Sequence, residues 1–285
     1  MKIGFIGLGL MGRPMAGHLI AAGHEVFLNR VKPASQHLVD AGGTAIDTAR
    51  AVAEASDVII LMLPDTPDVE AVLFGADGVA EGAAPGKLVI DMSSISPGAT
   101  KAFAARLADS GASYVDAPVS GGEVGAKAAS LTIMVGGSEA DFAKARPIFE
   151  RMGKNITRIG GVGDGQTAKV ANQVIVGLTI QAVAEGLALA QAAGADVAKV
   201  REALMGGFAS SRILEVHGER MIKGTFDPGF RIRLHRKDIG LALEEAKSAE
   251  LALPNTAALQ QLMNRALSEG LGDQDHSALY QLTRK

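Results

Sequence analysis

Lys169, Asn172 and Gln173 stand three and four positions apart in a stretch that is apolar nearly all round. On a helix that spacing places one amine and two amides on a single face. A buried lysine is costly unless it is paired or functional, and amide donors beside it can orient a small polar substrate. An exposed helix face at a seam between domains has the same spacing. Three other segments carry candidate chemistry. Asp91-Met92-Ser93-Ser94 ends a predicted strand, and such carboxyl ends face the ligand crevice of an open α/β sheet. Ser120-Gly121-Gly122 follows another strand and offers a hydroxyl and two backbone N–H groups able to hold a carboxylate, although glycine pairs are also ordinary turns. Phe230 to Asp238 is a basic run that suits a cofactor, an acidic substrate or plain solvent.

A separate signal lies at the amino terminus. The apolar run Lys2-Ile3-Gly4-Phe5-Ile6 meets Gly7-Leu8-Gly9-Leu10-Met11-Gly12, and a helical pattern follows. Strand, G-x-G-x-x-G turn and helix in that order form a dinucleotide-binding fingerprint. The first glycine permits the turn, the second lets backbone approach a pyrophosphate, and the third lets helix and strand pack closely. The helix amino terminus then presents N–H groups and a positive dipole end to the phosphates. The second strand of this fold usually ends in an acidic residue that binds the ribose hydroxyls and favours NAD. Here Asn29 and Arg30 stand at that place, with Lys32 nearby. A neutral amide and a planar guanidinium suit a 2′-phosphate, so NADP(H) is the expected cofactor and NAD(H) the second choice.

These groups need a framework. The first part of the chain alternates strand-like segments (25–28, 58–62, 88–91, 114–117, 131–135) with helical ones such as 97–110 and 139–151. Alternation of this kind predicts a mostly parallel sheet with helices on both faces. Beyond Gly160-Gly161-Val162-Gly163 no strand of four or more residues is expected, and helices are predicted over 167–193, 197–205, 237–249 and 256–269. The expected fold is a Rossmann-type α/β domain over 1–162, followed by an all-helical domain over 163–285 that binds substrate and mediates oligomerisation.

Composition narrows the function. The 285 residues carry a formal net charge of −3 and no marked basic run outside the segment named above, which argues against nucleic acid as a partner. There is no cysteine, so disulfides, thiolate metal ligands and a thiol nucleophile are excluded. The long apolar stretch near 174–193 contains Gln181, Glu185 and Gln191, which reads as a buried helix rather than a membrane span. The first residues form a strand rather than a secretion signal, and a cytoplasmic location is expected. The same stretch holds more apolar surface than a small helical domain needs, so a homodimer or homotetramer is expected.

Taken together, these segments resemble the β-hydroxyacid dehydrogenase family over essentially the whole chain. The fingerprint, the strand end Met62-Leu63-Pro64, the segment from Asp116 to Gly122, the helix bearing Lys169 to Gln173, and Lys237-Asp238 follow the family's order and spacing. Ala171-Asn172-Gln173-Val174-Ile175-Val176, Pro228-Gly229-Phe230-Arg231-Ile232 and Asp275-His276-Ser277-Ala278-Leu279 resemble the branch that reduces tartronate semialdehyde. The resemblance implies that Lys169 is the catalytic proton donor, that Asn172 fixes the substrate, and that Ser120, Gly121, Gly122 and Gln173 bind it. It also implies that Ser94 lies near the nicotinamide, that Met62, Leu63 and Pro64 line the cofactor, and that Lys237 closes over it. The implied reaction is reduction of a short aldehyde carboxylate by NADPH, without a metal. Sister substrates are succinic semialdehyde, glyoxylate and the aldehyde of 3-hydroxyisobutyrate. The non-enzymatic alternative is an NADP(H)-binding sensor, which would need no lysine.

Overall fold

The computed structural model describes residues 1–283. It contains two compact units, Met1–Lys169 and a second that begins at Val170. The first holds nine strands: β1 (Lys2–Ile6), β2 (Glu25–Asn29), β3 (Thr44–Ile46), β4 (Val58–Leu61), β5 (Leu88–Asp91), β6 (Ser113–Asp116), β7 (Val119–Ser120), β8 (Leu131–Gly136) and β9 (Gly153–Gly160). Its helices are α1 (Gly12–Ala21), α2 (Gln36–Asp40), α3 (Ala49–Ala55), α4 (Thr66–Phe74), α5 (Val79–Gly82), α6 (Pro97–Ala108), α7 (Gly122–Lys127) and α8 (Glu139–Phe149).

The sheet runs β3-β2-β1-β4-β5-β6-β8-β7, with β9 also paired to β8. The stretch from β3 to β6 is parallel throughout, in the strand order of dinucleotide-binding sheets. The reversal of order between β1 and β4 opens a crevice at their carboxyl ends, where the glycine turn lies. β1, β4 and β5 are buried along almost their whole length, because helices cover both faces. Alternation within each strand sorts the core into two layers. Ile3, Phe5, Ile60 and Ile90 pack on one face, while Ile6, Ile59, Leu61 and Val89 pack on the other. β8 is antiparallel to β6 and β7 and parallel to β9, so the sheet becomes mixed beyond β6.

Three strands were not expected. β3 and β7 have three and two residues, too few to leave a pattern. β9 carries Lys154, Asn155 and Arg158 on an edge, where charge is tolerated and tertiary pairing supplies the strand.

The second unit is helical. It contains most of α9 (Asp164–Ala192), then α10 (Val197–Met205), α11 (Arg212–Lys223), α12 (Ile232–Ser248), α13 (Pro254–Ser268) and a closing 3-10 helix, His276–Leu282. Its core joins Ile180, Leu187, Met221, Ile239, Met263 and Tyr280. Among the described residues its only β pairing is an isolated bridge between Arg231 and Asp275. α12 begins five residues before the expected start at 237, because the basic run finds partners. Arg233 binds Asp273 at 2.6 Å, and Arg236 donates to Asn264 at 2.9 Å. α11 was not anticipated. Ser211 caps its start, accepting from Leu214 N at 3.0 Å, and Gly224 closes it with φ +68°. α9 is long and apolar enough to cross a membrane by length and composition, with a mean hydropathy of 1.6 in its most apolar window. Only 28% of that window is buried, and Ile175 and Leu189 are exposed.

Candidate active site

The glycine turn is shaped by contact as much as by φ. Gly7 has φ +108°, and a Cβ there would sit 2.2 Å from the Met62 carbonyl oxygen. A Cβ on Gly12 would sit 1.9 Å from the Gly7 carbonyl, so α1 packs directly on the end of β1. A Cβ on Gly9 would meet nothing within 4 Å, which leaves backbone open to a ligand. Met11 at the amino end of α1 gives no side-chain cap. An uncapped helix start behind an open glycine fits a pyrophosphate. Leu8 packs against the core while Leu10 is exposed.

At the end of β2, Asn29 is buried and donates to the carbonyls of Ile46 (3.1 Å) and Asp47 (3.0 Å). Its amide therefore ties β2 to the end of β3. Arg30 follows with φ +56° and is exposed, as is Lys32. The left-handed residue turns the chain away from the sheet and leaves a guanidinium at its carboxyl edge. That arrangement fits a 2′-phosphate better than a ribose diol.

The other strand ends in this unit converge through side chains whose partners the sequence did not reveal. Asp116 is fully buried and accepts from Gly163 N at 2.7 Å and Gln166 N at 2.8 Å, which makes it the cap of α9. Burial pushes its pKa up to about 6, against the backbone N–H groups that hold it down and with Asp91 adding to the rise. Gln166 donates to the Ser93 carbonyl at 2.7 Å and accepts from Ile95 N at 3.2 Å. Ser94 is thus held between two residues clamped by the first turn of α9. Ser93 in turn accepts from Leu63 N at 2.9 Å, which fixes the Met62-Leu63-Pro64 segment. Lys169 lies three residues beyond Gln166 on the same helix and is 7% exposed. The expected lysine is therefore buried on a helix bolted to the β4, β5 and β6 ends. A polar residue one turn before a lysine was the available signal.

Ser120 ends β7, paired with Thr132 of β8. Gly121 (φ +131°) and Gly122 (φ +59°) open α7, whose start has no side-chain cap. His18 Nε2 lies 2.9 Å from the Ala126 carbonyl and fastens α7 to α1, beside the fingerprint.

In the second unit, Asn172 Nδ2 donates to Gln173 Oε1 at 2.8 Å, and Gln173 Nε2 donates to Asp238 Oδ2 at 2.5 Å. Lys237 Nζ lies 3.0 Å from Asp238 Oδ1. Two segments singled out in the sequence meet here as well. Asp275 Oδ2 accepts from Gly229 N (2.9 Å) and Phe230 N (3.1 Å), and Asp275 Oδ1 accepts from Ser277 Oγ (2.6 Å). Arg220 Nη1 is 3.2 Å from the same carboxylate. Burial works to raise the Asp275 pKa, but His217, His276 and Ser277 hold it well below the usual carboxylate range. Buried His276 lies between two other imidazoles, with Nδ1 2.9 Å from His235 Nδ1 and Nε2 3.3 Å from Nε2 of the partly buried His217. Burial, with His235 adding, pushes the His276 pKa well below its ordinary value. His217, Asp275 and His276 are close enough to share a metal ion, yet both Asp275 oxygens already bind backbone and side-chain donors.

Comparison with known proteins places the whole chain. A family model for the NAD-binding domain of 6-phosphogluconate dehydrogenase matches residues 2–161. A second, for the NAD-binding part of NADP-dependent 3-hydroxyisobutyrate dehydrogenase, matches residues 163–283. The chain is 58% identical to 2-hydroxy-3-oxopropionate reductase of Escherichia coli (strain K12), over 99% of this chain and 96% of that protein. It is 40% identical to 2-(hydroxymethyl)glutarate dehydrogenase of Eubacterium barkeri, over 98% of this chain and 93% of that one. Among solved structures it is similar to Mycobacterium tuberculosis 3-hydroxyisobutyrate dehydrogenase with L-serine. That likeness has a TM-score of 0.90 and 31% identity, and covers 99% of both chains.

Proposed function

The chain belongs to the β-hydroxyacid dehydrogenase family of NAD(P)-dependent oxidoreductases, and from that premise we propose that it reduces tartronate semialdehyde to glycerate with NADPH. The observation that carries the reading is Lys169, buried on a helix whose first turn is clamped to the strand ends of a dinucleotide-binding sheet. A full-length relative at 58% identity supports the substrate, and exposed Arg30 at the end of β2 supports the 2′-phosphate.

When bound, the nicotinamide supplies the hydride. The protein's part is to bind, orient and move a proton. The substrate carboxylate docks on Ser120 and the Gly121 and Gly122 N–H groups. Asn172 holds the polar end of the substrate. The Lys169 ammonium donates a hydrogen bond to the aldehyde oxygen, stabilises charge as it develops there, and passes its Nζ proton to the nascent alkoxide. In the reverse direction neutral Lys169 takes the alcohol proton. Lys237 closes the cofactor site.

The test is NADPH oxidation by the purified protein with tartronate, succinic and methylmalonate semialdehydes and glyoxylate, compared by kcat/KM. The highest value is expected for tartronate semialdehyde. A higher value for another aldehyde transfers the assignment to that substrate, and turnover of none of them removes the reading.

The reading extends to assembly. We assign the exposed apolar side of α9, with Ile175 and Leu189, to contact with a second copy in a homodimer or homotetramer.

A further inference from the structure

We infer that Gln173 is a positioning residue, keyed by Asp238, which fixes the direction in which the Asn172 amide faces the substrate. The inference rests on the role given to Asn172 above. Asp238 is 3% exposed, and a carboxylate beside an ammonium group offers lone pairs only. The Gln173 side chain meets it at Asp238 Oδ2, so the Gln173 NH2 must point that way. The amide is planar, and its oxygen therefore points the other way, to Asn172 Nδ2 at 2.8 Å. The Asn172 NH2 is turned to Gln173 in consequence, and its Oδ1 is turned away. Reversing either amide would set two donors or two acceptors face to face, at a cost of about 1–3 kcal/mol per buried mismatch. One carboxylate thus sets the polarity of two amides in series.

The backbone of Gln173 is held by the same helix. His235 Nε2 lies 3.1 Å from the Gln173 carbonyl oxygen. His235 and Asp238 are three apart on α12 and share a face, so one gives the main-chain hold and the other the side-chain hold. Close approach of α12 and α13 to α9 requires Gly177, where a Cβ would lie 2.7 Å from Leu259 Cδ2 and 3.2 Å from His235 Cε1. Gln173 itself is 4% exposed, and its oxygen and one N–H group are engaged within the unit. Its side chain therefore acts on the substrate through Asn172. An asparagine there is one methylene shorter and cannot reach both partners.

The experiment compares full-length wild type with Gln173→Leu, Gln173→Asn and Asn172→Ala, using NADPH and the best aldehyde of the panel. Gln173→Leu and Gln173→Asn should raise KM for the aldehyde roughly 10-fold to 100-fold, as misplaced contacts do, with a smaller fall in kcat and NADPH KM unchanged. The double variant Gln173→Leu with Asn172→Ala should lose no more than Asn172→Ala alone. A Gln173→Leu enzyme within twofold of wild type in aldehyde KM overturns the inference, as does multiplication of the two losses in the double variant. A second readout needs no turnover. The Asn172 side-chain NH2 resonances, identified by their loss in Asn172→Ala, should move toward free-amide positions in Gln173→Leu or, if that variant does not fold, in Gln173→Glu. Unmoved resonances overturn the inference, whereas an inactive wild type with moved resonances overturns only the reductase reading.

Discussion

At the scale of single residues, the proposed chemistry gives one amine and one guanidinium the leading parts. Lys169 lies on α9 three residues beyond Gln166, whose amide is clamped to the loop that carries Ser94. Replacing Lys169 by alanine removes a proton donor and leaves the glycine turn untouched. We expect kcat to fall by about 10²-fold to 10⁴-fold, while the NADPH dissociation constant measured by fluorescence stays near wild type. Turnover close to wild type would make the lysine structural. Arg30 is exposed, and its positive φ turns it off the end of β2. Arg30→Ala should raise KM for NADPH at least tenfold more than KM for NADH, because only the former carries the 2′-phosphate that Arg30 is proposed to bind. Equal effects on the two would remove the 2′-phosphate contact.

At the scale of elements, α9 is positioned from its amino terminus by the Asp116 carboxylate, which accepts two of the N–H groups that a helix start leaves unpaired. Its pKa is raised from the ordinary 3.8 to about 6 by burial. A carboxyl group raised in the folded state binds its proton more tightly there than in the unfolded chain. Its contribution to stability is thus fully present below 3.8 and is lost as pH rises through 6. Asparagine does not titrate and has one acceptor for two donors. The stability advantage of wild type over Asp116→Asn, read by denaturant titration, should shrink as pH goes from about 4 to about 6.5. A pH-independent difference would mean that Asp116 is not raised. The elements also show where sequence periodicity stops being informative. β1, β4 and β5 announced themselves as apolar runs with a ligand-binding turn or strand end attached. α11 had a serine and a glycine at its ends, but His217 and Arg220 stand beside its apolar stripe, and the buried Asp275 on the closing segment is the partner that both of them meet.

At the scale of the whole molecule, α9 leaves an apolar side uncovered, with Ile175 66% and Leu189 72% exposed. A helix of 29 residues with that much open apolar surface is expected to be covered by a second chain. Light scattering at micromolar concentration should give a dimer or tetramer mass, and Ile175→Glu with Leu189→Glu should shift it toward the monomer. A monomeric wild type would refute the assembly.

The sequence by itself determined the kind of fold and the cofactor class, and it singled out the lysine on which the proposed mechanism turns. Those depend on local properties: apolar runs, glycine spacing and a helical interval of three or four. Tertiary structure decided how the helix bearing the lysine is held and which groups its neighbours bind. Asp116 reaches Gln166 across 50 positions, and Gln173 reaches Asp238 across 65. No local pattern encodes such pairs, because each polar atom is acceptable in the interior only through a partner brought to it by the packing of distant elements.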